Sequence, residues 1–94
     1  MSKRREPTSP GEILQEEFLG PLELTQRQLA YHLGCDVKVI NRIVNRRTAV
    51  TAEMALKLGA TFGTSPEFWL NAQKALDLHH AAARVGTLPR ALKA

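Results

Sequence analysis

Apolar residues recur three and four positions apart along most of the chain, and the alternation expected of strands is almost absent. The first helical pattern opens at Ser9-Pro10-Gly11-Glu12. Serine can cap, proline suits the first helical position, and Glu12 completes a capping box. Ile13, Leu14, Phe18 and Leu19 form its apolar stripe, with Gln15, Glu16 and Glu17 outside. Gly20-Pro21 is expected to end it, because glycine accepts the left-handed closing position and proline cannot continue a helix.

Four further helices follow from the same signals. Thr25 and Gln28 pair as a capping box, Leu24 is placed to staple onto Leu29, and Gly34 closes this second helix. The third starts at the cap Asp36 and runs to about Asn45, followed by the basic connection Arg46-Arg47-Thr48. The fourth follows the cap Thr51, turns Ala55, Leu58, Gly59 and Phe62 inward, and stops at Gly63. The fifth begins at Ser65-Pro66, carries Phe68, Trp69, Ala72, Ala75 and Leu76, and reaches Ala83 or Arg84. Gly86 and Pro89 then release a short tail. The pattern predicts an all-α protein, a compact five-helix bundle over residues 9–85, with a loose arm at 1–8 and a tail at 86–94.

The joint between the second and third helices is the most informative feature. Leu29 and Leu33 share one face, and Val37, Ile40, Ile43 and Val44 build the face that meets it. Ala30 is small where two steeply crossing helices come closest. Gly34 stands where the chain must reverse, and Cys35 is a small apolar group able to seal the turn. These residues meet the demands of a helix-turn-helix. With its apolar side turned inward, the third helix leaves Lys38, Asn41, Arg42 and Asn45 as one outward strip. Lys, Asn and Arg are the side chains that pair with guanine and adenine edges in the major groove. Val39 suits either a thymine methyl group or a half-buried position.

Charge sharpens this reading. Residues 27–47 hold Arg27, Lys38, Arg42, Arg46 and Arg47 against the single acid Asp36, which matches the whole chain's net +4. A basic cluster of this kind attracts phosphate backbones. Thr25, Gln26 and Arg27, at the free N–H groups of the second helix, are candidates to grip a phosphate, and so are Asn45, Arg46 and Arg47. Little else carries chemistry. The lone Cys35 excludes an internal disulfide, and His32, His79 and His80 lack the spacing of zinc ligands. No nucleophile, base or metal set assembles, so neither a catalytic residue nor a cofactor nor a small-molecule substrate is expected. No apolar run approaches the roughly 20 residues that span a bilayer, and the basic N-terminus lacks a secretory segment, so a cytoplasmic protein is expected.

Several segments resemble a known family. The run from Thr25 to Gly34 looks like the first half of an Xre-type helix-turn-helix. Pro10-Gly11-Glu12-Ile13-Leu14, Glu16-Glu17-Phe18-Leu19 and Ile40-Asn41-Arg42-Ile43-Val44-Asn45 resemble the HigA/VapI family of plasmid-maintenance antidotes. The segment from Thr51 to Leu58 and the run Thr64-Ser65-Pro66-Glu67-Phe68-Trp69-Leu70-Asn71 extend the likeness over roughly residues 9–78. The resemblance implies a lambda-repressor-like DNA-binding domain. It further implies an antitoxin that binds a HigB-type ribonuclease toxin and represses the shared operon as a homodimer on double-stranded operator DNA. A short recognition helix reads few base pairs, so a dimer suits it, and Phe68, Trp69 and Leu76 of the fifth helix are the candidate interface. Two alternatives stay open: a stand-alone Xre-type regulator without a toxin, and a protein–protein module that has lost DNA binding.

Overall fold

Each helix begins where a short polar side chain can satisfy its free N–H groups. The computed structural model describes residues 5–92. In it, Ser9, Thr25, Asp36, Thr51 and Ser65 accept side-chain hydrogen bonds from the backbone N–H of Glu12, Gln28, Lys38, Met54 and Phe68 respectively. Each such cap contributes about 1 kcal/mol relative to alanine. The five rods they open are α1, a composite of Pro10–Ile13, Leu14–Leu19 and Gly20–Leu22; α2, Gln26–Leu33; α3, Val37–Val44; α4, Ala52–Phe62; and α5, Pro66–Val85. The all-α class and the helix-turn-helix bundle read from the sequence are therefore observed.

The first rod departs from expectation at its end. Leu14–Leu19 adopts π-helical register, and the Gly20 N–H bonds to the Gln15 carbonyl five residues back. Gly20 is right-handed at φ −60°, ψ −59°, so Gly20-Pro21 does not terminate the helix. Proline ordinarily breaks a helix because its ring meets the carbonyl four residues earlier. The wider π turn opens that space, and the rod continues to Leu22. Glu23 closes it in the left-handed region at φ 56°, with Glu23 N–H donating to Gly20 O and Leu24 N–H to Leu19 O at 3.0 and 2.9 Å.

The core draws on every rod: Leu14 and Leu19 from α1, Leu29 and Ala30 from α2, Ile40 and Ile43 from α3, Met54, Ala55 and Leu58 from α4, and Trp69 from α5. Phe18 and Phe62 pack beside Trp69, with ring centroids 5.3 and 6.5 Å from it. The buried indole is satisfied, since Trp69 Nε1 donates to Thr64 Oγ1 at 2.8 Å. One contact sets the position of the third helix. Gly11 in α1 lies against the backbone of Ile43 and Val44, so close that a Cβ there would stand 2.1 Å from the Ile43 carbonyl oxygen.

Two of the three expected interface residues, Trp69 and Leu76, are corrected by this packing. Trp69 is 0% and Leu76 6% exposed within the single chain, so the subunit's own interior consumes them. Two adjacent helix positions point about 100° apart, and Trp69 takes the inward one. Phe68 keeps an exposed surface. Ala75, one turn before His79 on the same helix, is exposed. Beyond Leu76, α5 buries no further residue and runs on past the core to Val85.

Candidate nucleic-acid interface

The turn between α2 and α3 is built from backbone bonds that only certain residues permit. Gly34 sits at φ 74°, ψ 35°, where a β-carbon is disfavoured. Its N–H donates to the Tyr31 carbonyl, and the Cys35 N–H donates to the Ala30 carbonyl at 3.0 Å. Ala30 is buried at the crossing, and Cys35 packs half-buried against the core. Asp36 then caps α3 by accepting from Lys38 N–H at 2.8 Å. That cap commits to the backbone the only carboxylate between Arg27 and Arg47.

On α3, burial and chemistry separate cleanly. Ile40 and Ile43 are buried, and Val37, Val39 and Val44 are half-buried against the core. Lys38, Asn41, Arg42 and Asn45 are exposed. Of the two positions open to Val39, the structure gives the half-buried one. Asn45 also has a local task, because its Nδ2 donates to the Asn41 carbonyl and closes the helix end.

The flanking candidates gather around this strip. Thr25 and Arg27 are exposed at the start of α2, while Gln26 is half-buried. The Thr25 hydroxyl is committed to its capping box with Gln28. Gln26 Oε1 accepts from Asn41 Nδ2 at 3.2 Å, a link between the two helices that spacing alone did not disclose. Arg46 and Arg47 are exposed just beyond α3. Arg46 adopts φ 62°, and the helix closes through Arg46 N–H to Ile43 O and Arg47 N–H to Arg42 O at 3.1 and 2.7 Å. A left-handed arginine costs roughly 1–2 kcal/mol relative to glycine.

Arg46 has a partner that the sequence did not indicate. Glu6, in the segment read as a loose arm, bridges Arg46 and His80. The His80 and Arg46 side chains together hold the Glu6 carboxyl below the ordinary carboxylate range. No local signal marks this contact, since the partners lie 40 and 74 positions apart. The first four residues of the arm lie outside the described residues. Among the described residues there is no cluster of three or more His, Cys, Asp or Glu able to hold a metal, and no helix long and apolar enough to cross a membrane.

An exposed strip of Lys, Asn and Arg on the second helix of a tight helix-turn-helix, flanked by arginines, can meet base edges and phosphates together. Comparison with known proteins agrees with this architecture. Residues 15–69 match the family described as Helix-turn-helix. An uncharacterized HTH-type transcriptional regulator of Haemophilus influenzae is 53% identical over 74 residues, covering 79% of this chain and 69% of that protein. Antitoxin HigA-1 of Vibrio cholerae is 43% identical over 75 residues, covering 80% and 70% respectively. The structure of Pseudomonas aeruginosa antitoxin HigA with the higBA promoter is similar at a TM-score of 0.82 and 39% identity, covering 85% of this chain and 87% of that one. The chain belongs to the Xre-type helix-turn-helix family and, within it, to the HigA/VapI-type group.

Proposed function

We propose that the protein is a cytoplasmic antitoxin that binds its operator as a homodimer, represses its own operon, and neutralises a HigB-type ribonuclease toxin. The observation that carries the DNA-binding part is the joint exposure of Lys38, Asn41 and Arg42 while Ile40 and Ile43 anchor their helix. In this reading Lys38, Asn41 and Arg42 meet base edges. Gln26, Arg27, Asn45, Arg46, Arg47 and the α2 start at Thr25 hold the backbone. A two-fold dimer places two such helices about 34 Å apart, one turn of duplex. The antitoxin part is supported by the name of the Vibrio cholerae relative, and operator binding by the promoter bound to the Pseudomonas aeruginosa one.

Fluorescence anisotropy with a duplex from the region upstream of the gene tests the DNA arm. Arg42→Ala should weaken operator binding by about 1–3 kcal/mol and relax selectivity at one base pair. Unchanged affinity and selectivity would overturn the assignment of α3. Co-expression with the adjacent gene tests the toxin arm. Growth rescue with a stable complex supports an antitoxin, and a non-toxic neighbour that forms no complex leaves a stand-alone regulator.

A further inference from the structure

We propose that Arg46 and His80 form a notch for a DNA backbone phosphate, and that Glu6 fills it in the free chain as a built-in competitor. The inference rests on the DNA-binding reading above and adds His80 and Glu6 to it.

A single oxygen, Glu6 Oε2, is held 2.7 Å from Arg46 Nη2 and 2.5 Å from His80 Nε2. Two nitrogen donors from distant parts of the chain thus converge on one anionic oxygen, which is how a protein grips a phosphate oxygen. Arg46 follows α3 directly, so the notch continues the basic strip rather than standing apart from it. The three side chains are 38–44% exposed, which leaves the carboxylate displaceable by an anion from solvent. Beside them lies a recess of about 230 Å³ to which Arg46, Arg47, Thr48 and His80 contribute. Asp77 also lines it, and its carboxylate accepts from Gln73 Nε2 at 2.9 Å. Among the described residues, Arg46 is the one member of the basic group Arg27, Lys38, Arg42, Arg46 and Arg47 that stands in an ion pair. A phosphate that takes the Arg46 Nη2 and His80 Nε2 donors together must therefore displace the arm, and the arm weakens binding to every duplex regardless of sequence.

The test compares wild type, Glu6→Gln, Glu67→Gln and Glu6→Gln in an Arg46→Ala/His80→Ala background, on the operator duplex and a scrambled duplex of equal length. Glu67 removes the same charge at the first turn of α5, about 20 Å along the helix from His80. Glu6→Gln should tighten both duplexes about two- to fivefold, the range set by an exposed ion pair. Glu67→Gln should leave both unchanged, and the gain from Glu6→Gln should vanish without Arg46 and His80. Equal tightening by Glu67→Gln would reduce the effect to net charge and overturn the proposal. So would no tightening by Glu6→Gln while wild type binds its operator. Failure of wild type to bind either duplex would instead sink the DNA-binding reading, and the notch with it.

Discussion

Asn41 Nδ2 donates to Gln26 Oε1 across 3.2 Å, tying the outward face of α3 to the first turn of α2. An asparagine amide can present its oxygen or its nitrogen outward, and this bond selects one orientation. Gln26→Ala should therefore lower selectivity at the base pair facing Asn41 more than it lowers affinity for a scrambled duplex. Binding to a panel of single-base operator variants reads this directly. An equal loss on all duplexes would make Gln26 a phosphate contact only.

Two glycines carry opposite risks. Gly11 has no room for a side chain, because a Cβ would meet Ile43 O at 2.1 Å and the Val44 backbone at 2.8 Å. Gly11→Ala must push α1 off α3 and should cost about 3 kcal/mol or more, at the upper end of overpacking. Gly34 has open space around it but a φ of +74°, so Gly34→Ala should cost only about 1–2 kcal/mol. Urea unfolding of both variants checks the order.

Trp69 depends on a single hydroxyl. Its ring is fully buried and its Nε1–H reaches Thr64 Oγ1 at 2.8 Å. Thr64→Val keeps the volume but strands the indole N–H, which should destabilise the fold by about 1–3 kcal/mol. Denaturation followed by fluorescence of this one tryptophan measures the loss.

Acid should release the arm. The Glu6 carboxyl is held below its ordinary range by His80 and then Arg46, so the folded state binds its proton less readily than the unfolded chain does. The stabilisation is thus complete above the ordinary carboxylate range and fades as pH falls through the depressed folded value. The difference in Tm between wild type and Glu6→Gln should shrink over that interval, with Asp77 and Arg47 in the same recess unchanged in both proteins. A difference independent of pH down to strong acid would show that the pair contributes nothing to stability.

What could be read from the chain beforehand was local. All five caps act within two or three residues of themselves, so composition discloses them. The turn at Gly34 and the division of α3 into Ile40 and Ile43 inside, Lys38, Asn41 and Arg42 outside, follow from spacing alone. Register and distance were not readable in that way. Nothing in Leu14–Leu19 announces a π turn, so Pro21 reads as a stop when it is not one. Asn45 is the better left-handed residue by type, yet Arg46 takes that position, because the closing bonds reach back to Ile43 and Arg42. Between neighbouring aromatics, only Trp69 finds Thr64 to satisfy it, and this separates the core residue from the exposed Phe68. The Glu6 bridge joins residues that no window of sequence contains.

The backbone-to-backbone seat of α1 on α3 at Gly11 has a mechanical consequence. With no side chain between them to repack, the two rods cannot slide or pivot independently, and the face bearing Lys38, Asn41 and Arg42 travels as a fixed template. Adjustment to a partner then falls on long side-chain tips, on bending of the partner, or on rotation between whole subunits. The orientation of the reading helix itself is already set when the chain folds.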